Sequence, residues 1–186
     1  MRIIGGKNKG RKINLPIDKK TRPLRDIVKE AIFNLIENSN KFNIKIKNSI
    51  ILDLFSGSGS FGLECFSRGA KSITFLENYE IALKILKKNI FNINANDYCK
   101  IIEIDCFNYF KNINKFSNKF DIIFLDPPYD EKKINELIDK IKEEKILKDN
   151  GIIIIHRHKK DEIIISSKLN ILDSRMHGIS KIIFGN

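Results

Sequence analysis

The chain has 186 residues, of which 42% are hydrophobic and 31% charged, and its formal net charge is +11. This length suits one main domain whose core needs no staples, and three cysteines without a CxxC pair plus three late histidines argue against a disulfide framework or a zinc site, so no metal is expected. Apolar runs such as Ile152 to Ile155 fall far short of the roughly 18 residues of a membrane span, and the Met-Arg-Ile-Ile start has no signal-peptide pattern, which makes the cytoplasm the expected location.

The charge is concentrated at one end. Residues 1 to 30 carry ten Lys or Arg against Asp18, Asp26 and Glu30. Within them, Arg2-Ile3-Ile4 and Arg11-Lys12-Ile13-Asn14-Leu15 flank the turn-rich GGKNKG, a pattern that predicts a β-hairpin with Lys7, Lys9, Arg11 and Lys12 near its tip. A positive field mounted in this way neutralises phosphates locally and releases their counterions, so these four residues, with Arg22 and Arg25 beyond them, are the candidate nucleic-acid contacts. A helix follows, with Pro23 in its first turn and Ile27, Val28, Ile32, Phe33, Leu35 and Ile36 at helical spacing, ending near Asn38 to Asn40. Residues 1–40 thus read as a basic hairpin-and-helix extension packed on a main domain of residues 41–186.

From there strand and helix patterns alternate. Strands are expected at Ser49 to Phe55, Ser72 to Glu77, Lys100 to Ile104, Phe120 to Leu125 and Gly151 to His156, with helices between them at Ser60 to Arg68, Tyr79 to Asn92, Cys106 to Asn112 and Lys132 to Glu144. Such alternation builds an α/β fold, a doubly wound, mostly parallel Rossmann-like sheet with helices on both faces. Glu162 to Ile165, Asn170 to Leu172 and Ile179 to Phe184 then read as strands with no helix between them, so a seven-stranded sheet is expected to end in an antiparallel hairpin. His156 and His158 alternate at strand spacing, which favours one packed and one exposed imidazole over a metal pair.

The first of these strands runs into ILDLFSGSGSFG. Gly57, Gly59 and Gly62 have the G-x-G-x-x-G spacing, and Glu77 closes the next strand twenty positions after Gly57, as in a dinucleotide-binding loop. Asp53 changes that reading, because it lies at the strand's carboxyl end, where a pyrophosphate seated on the helix N-terminus would meet a carboxylate. S-adenosylmethionine carries an ammonium and a sulfonium and no phosphate, so Asp53 can attract its amino-acid end while the glycines let backbone come close. Glu77 can accept both ribose hydroxyls, with Asn78 beside it. After the third strand, Asp105 and Cys106 offer a side chain and a backbone N–H to the adenine edge, and Phe55 or Ile104 an apolar surface to its ring. NAD is the alternative ligand for this loop, and a capping carboxylate beside an ordinary tight turn is the purely structural alternative.

The stretch FDIIFLDPPYD, residues 120–130, sends an apolar strand into a carboxylate, two prolines and an aromatic ring. In an open parallel sheet this strand end faces the same crevice as the glycine loop. An exocyclic amine on a nucleobase is a poor nucleophile, because its lone pair is delocalised into the ring. The Asp126 carboxylate and the Pro127 carbonyl can accept its N–H bonds and turn that lone pair towards a methyl carbon, and proline's fixed φ keeps the backbone acceptor aimed. Tyr129 offers a face for the base to stack on. Asp126 also borders the cofactor, and methyl transfer by in-line displacement depends on positioning rather than on a metal. A Pro-Pro turn that merely ends a strand is the simpler reading of PP alone.

With these motifs the chain resembles class I S-adenosylmethionine-dependent methyltransferases, and more closely the bacterial family that methylates guanine N2 in 16S ribosomal RNA. RIIGGKNKGRKINLP followed by TRPLRDIVKEAIFNLI is similar to that family's opening, and LDLFSGSGSFGLECFSRGAKSITFLE continues it, so the resemblance covers essentially the whole chain. The glycine loop and DPPY alone are shared with adenine-N6 DNA methyltransferases. The resemblance implies methyl transfer to a guanine of small-subunit ribosomal RNA within a partly assembled particle, with Asp53, Gly57, Gly59 and Glu77 on the cofactor. Asp126, its prolines and Tyr129 would hold the guanine, and Arg22 and Pro23 would lie beside it; a monomer is expected. The chain departs from the family in having Leu24 where Thr is common, Lys29 where Arg is common, and IHRHKK where an acidic residue is usual. Two rival readings stand: an adenine-N6 methyltransferase of DNA or RNA, disfavoured by the lack of a separate target-recognition domain, and a non-catalytic RNA-binding assembly factor, disfavoured by the intact Asp53, Glu77, Asp126 and Tyr129.

Overall fold

The computed structural model describes residues 1–18, 23–111, 119–162 and 164–186. Seven strands, β1 (Ile50–Asp53), β2 (Ser72–Leu76), β3 (Cys99–Ile102), β4 (Phe120–Leu125), β5 (Leu147–His158), β6 (Ile171–His177) and β7 (Ser180–Gly185), form one sheet in the order β3-β2-β1-β4-β5-β7-β6. The first five are parallel, and β7 lies antiparallel between β5 and β6. Five helices accompany them among the described residues: α1 (Asp26–Asn38), α2 (Ser60–Ser67), α3 (Glu80–Asn92), α4 (Cys106–Lys111) and α5 (Ile134–Glu143). None is long and apolar enough to cross a membrane.

The unbroken apolar runs explain the layering. Along β4, Ile122 and Phe124 join one core with Ile51, Phe75 and Ile154, whereas Ile123 and Leu125 join a second with Leu52, Ile153 and Ile155. Successive strand residues point to opposite faces, so a strand covered on both sides must be apolar throughout. Helices α1, α2 and α3 cover the first face through residues such as Val28, Phe61 and Leu86, and α4 and α5 cover the second through Phe110 and Ile138. The doubly wound sheet and its closing antiparallel hairpin are as the sequence pattern indicates.

Several local expectations are corrected. Glu162, Ile164 and Ile165 form no strand, and Ile163 lies outside the described residues. Instead Asn135 of α5 donates to the Ile164 carbonyl at 2.9 Å and accepts from the Ser166 N–H at 2.9 Å, which ties this segment to the helix. Pro23 precedes α1 rather than entering its first turn, because Leu24 is drawn into the core and the first helical bonds close on the Arg25 carbonyl. On α1, Ile27 faces outward while Lys29 is fully buried.

The amino-terminal hairpin is also reshaped. A single antiparallel bridge, Arg2 with Lys12, and a 3₁₀ turn at Gly6–Asn8 replace a regular ladder. The chain does reverse, with Ile3 N–H on the Arg11 carbonyl and Gly10 N–H on the Ile3 carbonyl, both at 2.9 Å. Other ladder groups turn instead to α2: Glu64 accepts Ile4 and Gly5 N–H groups at 2.8 Å, and Ser67 Oγ accepts Asn8 N–H at 2.9 Å.

Glu64 is the anchor of this segment. Its side chain has no solvent exposure, accepts Arg68 Nε at 3.0 Å and lies 3.7 Å from Lys29 Nζ. Lys29 in turn donates to the Arg2 carbonyl at 2.6 Å and pairs with Asp26. Desolvation pulls the Lys29 ammonium below its ordinary pKa, and Glu64 and Asp26 oppose that pull. A buried ion whose partner is removed is strongly destabilising. Glu64→Ala should therefore cost about 3–5 kcal/mol in chemical denaturation, with hydrogen exchange at Ile4 and Gly5 accelerating more than at β1.

Candidate active site

The carboxyl ends of the central parallel strands open on a cavity of about 430 Å³. Such a volume suits a small-molecule ligand. Its walls come from the loops after β1, β2, β3 and β4 and from the amino-terminal segment, through Leu15, Pro16, Pro23 and Leu24. Asn89, buried on α3, holds that segment in place: its Oδ1 accepts the Asn14 N–H at 2.9 Å, and its Nδ2 donates to the carbonyls of Asn14 and Ser58 at 2.9 Å. One side chain thereby joins the N-terminal segment to the glycine loop.

Asp53 lies at the end of β1 and is 1% exposed. Its Oδ2 accepts the Gly62 N–H at 3.3 Å, while its buried Oδ1 has no hydrogen-bond partner among the described residues. Burial pushes the carboxyl up to about 8; the Gly62 N–H opposes this, and the charges of Asp126 and Glu77 add to it. Burial therefore disfavours the charged form unless a cation comes close, which refines the fixed negative charge that the sequence suggests. An orphaned buried carboxyl oxygen on a cavity wall suits a positively charged ligand group.

Glu77 follows β2. Its Oε2 accepts Gly57 N–H at 2.7 Å, and its Oε1 accepts Asn78 and Tyr79 N–H at 3.0 and 2.9 Å. A carboxylate has about four acceptor positions, so with three N–H groups already bound one incoming hydroxyl fits directly, and a second requires one of the three to give way. Gly57, Asn78 and Glu77 all line the cavity. Gly59 does not: it caps α2 at φ +80°, and a Cβ there would sit 2.4 Å from Leu86 Cδ1. Its positive φ turns the chain into α2, and its lack of a Cβ admits Leu86. Gly62 likewise lets α2 lie on β2, since its Cβ would come within 2.3 Å of the Phe75 ring.

Asp105 and Cys106 line the cavity beyond β3, where Asp105 Oδ1 also caps α4 by accepting the Asn108 N–H at 3.0 Å. Phe55 meets Phe107 edge to face at 6.4 Å, and with Ile104 they make the apolar side of the cavity.

Across the cavity stand Asp126, Pro127 and Tyr129. Asp53 pairs with Phe124, so Asp126 lies two residues further along β4's direction and on the same face of the pleat. His156, at the end of β5, brings Nδ1 to 2.8 Å from Asp126 Oδ1. His156 is packed as expected, at 2% exposed, whereas His158 is only partly exposed and lies edge-on to Tyr129. Among the described residues no group of three or more His, Cys, Asp or Glu is arranged to hold a metal.

The basic residues are distributed differently from the expected tip. Lys9, Arg11, Lys12 and Arg25 are exposed, and Arg22 lies outside the described residues. Lys7 holds its ammonium over the Phe66 ring at 3.9 Å and near Tyr98 at 5.3 Å. The turn that carries it sits at the Ser67 end of α2. It is separated from the cavity end by the eight residues of that helix, about 12 Å. Sequence patterning does not reveal Glu64, Asn89, His156 or Arg157 as supports of the site, since each acts on a residue distant along the chain.

Known proteins are similar to this chain. Ribosomal RNA small subunit methyltransferase D of Buchnera aphidicola subsp. Acyrthosiphon pisum is 37% identical over 164 residues, covering 88% of this chain and 81% of that protein. The protein of the same name from Haemophilus influenzae is 32% identical over 180 residues, covering 96% and 90%. The solved structure of yhhF from Escherichia coli superposes with a TM-score of 0.83 at 24% identity, covering 100% of this chain and 96% of that one, which supports the fold. Fold, crevice and relatives together define a methyltransferase. The family described as Conserved hypothetical protein 95 matches residues 1–186, and the chain belongs to it.

The state of Asp53 has a measurable consequence. Its folded carboxyl titrates near 8 and its unfolded one near 3.8, so the folded state binds the proton more tightly. The resulting stability is complete below about 4 and is lost as pH rises through about 8. Asp53→Asn should flatten this decline, read as a smaller difference between urea midpoints measured at about pH 5 and about pH 8.5.

Proposed function

We propose that this chain transfers a methyl group to the exocyclic N2 of a guanine in small-subunit ribosomal RNA, acting as a monomer in the cytoplasm on a partly assembled particle. The donor is S-adenosylmethionine. The observation that carries the reading is the placement of Asp53 and of the Asp126-Pro127-Tyr129 turn on one cavity, at adjacent parallel strand ends. Bound there, S-adenosylmethionine supplies an electrophilic methyl carbon on a sulfonium.

The residues present fit that donor. Asp53 matches its amino-acid end, and loss of the Asp53 proton on binding compensates the buried cation. Glu77 and Asn78 face the ribose, while Asp105, the Cys106 backbone and the Phe55 and Ile104 side chains face the adenine. On the opposite wall, Asp126 and the Pro127 carbonyl accept the two N–H bonds of the guanine amino group, and Tyr129 stacks on the base. With the donor bound, Asp126 and the Pro127 carbonyl would hold the amino nitrogen in line with its methyl group, and the proton that the nitrogen loses on methylation would pass to the Asp126 carboxylate and from there to solvent. Because the acceptors are aimed before the base arrives, little reorganisation remains for the reaction itself.

Residues 1–40 serve as the RNA-binding extension of the catalytic unit 41–186. Lys9, Arg11, Lys12 and Arg25, with Lys7 and Arg22, neutralise phosphates flanking the splayed guanine. The exposed side chains of the first four and the shared anchors Glu64 and Asn89 support this reading.

Incubating the protein and labelled S-adenosylmethionine with ribosomal RNA, small subunits and DNA from cells lacking the enzyme should yield N2-methylguanine from small-subunit RNA. N6-methyladenine as the product would overturn the assignment. Asp126→Ala should lower turnover by at least about a hundredfold, as loss of a preorganised acceptor does, while S-adenosylhomocysteine affinity measured by calorimetry stays within a few-fold. Reversing the charges of Lys9, Arg11 and Lys12 together should weaken RNA binding and reduce the slope of log affinity against log salt by roughly two to three.

A further inference from the structure

The segment His156-Arg157-His158 at the carboxyl end of β5 has no part in the reaction as described above, yet its three side chains grip the turn that carries the base acceptors. His156 Nδ1 lies 2.8 Å from Asp126 Oδ1. Arg157, 2% exposed, sends Nη1 to the Pro128 carbonyl at 3.0 Å and Nη2 to the carbonyls of Tyr129 and Glu131, each at 3.1 Å, while its Nε pairs with Asp161. His158 meets the Tyr129 ring edge-on, with centroids 4.9 Å apart and planes at 72°. None of the Arg157 bonds uses the Pro127 carbonyl.

We propose that His156 and Arg157 are positioning residues for the amino-group acceptors, His156 setting the plane of the Asp126 carboxylate and Arg157 the direction of the Pro127 carbonyl; this rests on the methyltransferase reading above. The carboxylate torsion of an aspartate is soft, so without a partner its plane would sample a broad range. Where the Asp126 carboxylate is the acceptor, Nδ1 of His156 carries the hydrogen and the imidazole is the donor. A bond from that donor to Oδ1 also sets where Oδ2 points.

Arg157 acts on the backbone. Its planar fork engages three carbonyls that follow Pro127, and proline's fixed φ at both 127 and 128 transmits the hold backwards along the turn. Four of the guanidinium's five N–H groups thus have protein partners. Both supports come from β5, whose Ile155 pairs with Leu125, so register alone delivers residues 156 and 157 to the start of the turn.

The test compares His156→Leu, His156→Asn, His156→Gln and Arg157→Lys on whichever RNA the wild type methylates, with thermal melting and S-adenosylhomocysteine affinity measured alongside. The Asn amide nitrogen falls near the place of Nδ1, whereas the Gln amide nitrogen falls near that of Nε2. His156→Leu and Arg157→Lys should each lower kcat by roughly tenfold or more, the scale of a lost hydrogen bond to a charged or preorganised group. S-adenosylhomocysteine affinity should stay within about twofold, and His156→Asn should recover most of the rate while His156→Gln does not. A wild-type kcat in His156→Leu, equal rates for Asn and Gln, or a loss confined to cofactor affinity would overturn the proposal. Should the Leu variant fail to fold, the Asn and Gln pair decides by itself. A wild type that methylates no nucleic acid defeats the functional reading and this proposal together; an active wild type with indifferent variants defeats this proposal alone.

Discussion

The parallel pairing of β1 with β4 is the constraint on which the site depends. From β1 the chain winds outward through β2 and β3, and from β4 it winds the other way to β5, so the two neighbours diverge at their carboxyl ends. A crevice must open there, because successive crossovers leave on opposite sides. The register sets Asp53 opposite Phe124 and therefore brings Asp126 past it on the same face. Burial of a carboxyl group in such a crevice disfavours its charged form, and nearby negative charge adds to that cost. Asp53 bears it, and the arrangement favours a ligand that brings positive charge with it.

The amino-terminal segment completes this crevice by polar anchors on an otherwise apolar face. Ile3 and Ile13 join the same core as α1 and α2, but apolar contact is non-directional and does not determine the height at which Leu15 and Pro16 reach the cavity. Glu64 and Asn89 do so, by accepting and donating hydrogen bonds to the backbone of residues 4, 5 and 14. The position of the basic surface relative to the crevice thus follows from two buried side chains on α2 and α3. Lys29 shows the same economy: a single ammonium on α1 closes against Glu64 and the Arg2 carbonyl, and the fork of an arginine is not needed there.

Much of this was legible in the chain because the physics involved is local or periodic. The unbroken apolar runs point to a sheet buried on both faces, the order of strand and helix patterns points to parallel winding, and the pattern FDIIFL coincides with β4 at both ends. The motif residues Asp53, Glu77 and Asp126 were legible for a related reason: in a doubly wound sheet, a polar residue that ends a buried strand is delivered to one rim. Boundaries governed by distant contacts were not. Pro23 falls before its helix because Leu24 seeks the core, the strand expected at 162–165 yields to Asn135, and Gly59 turns out to admit Leu86 rather than face the cavity.

The sequence by itself determined the class of fold, the presence of a glycine loop and an acid-proline-aromatic turn at strand ends, and the concentration of positive charge near the amino terminus. Hydrophobic periodicity and backbone stereochemistry act over a few residues, and a linear text records them. Only the tertiary structure decided which buried polar groups meet: Glu64 with the first turn, Asn89 with Asn14 and Ser58, His156 with Asp126, Arg157 with the carbonyls after Pro127. These pairs are separated by tens of residues, and their hydrogen bonds exist only after the sheet has set the register that brings them within reach.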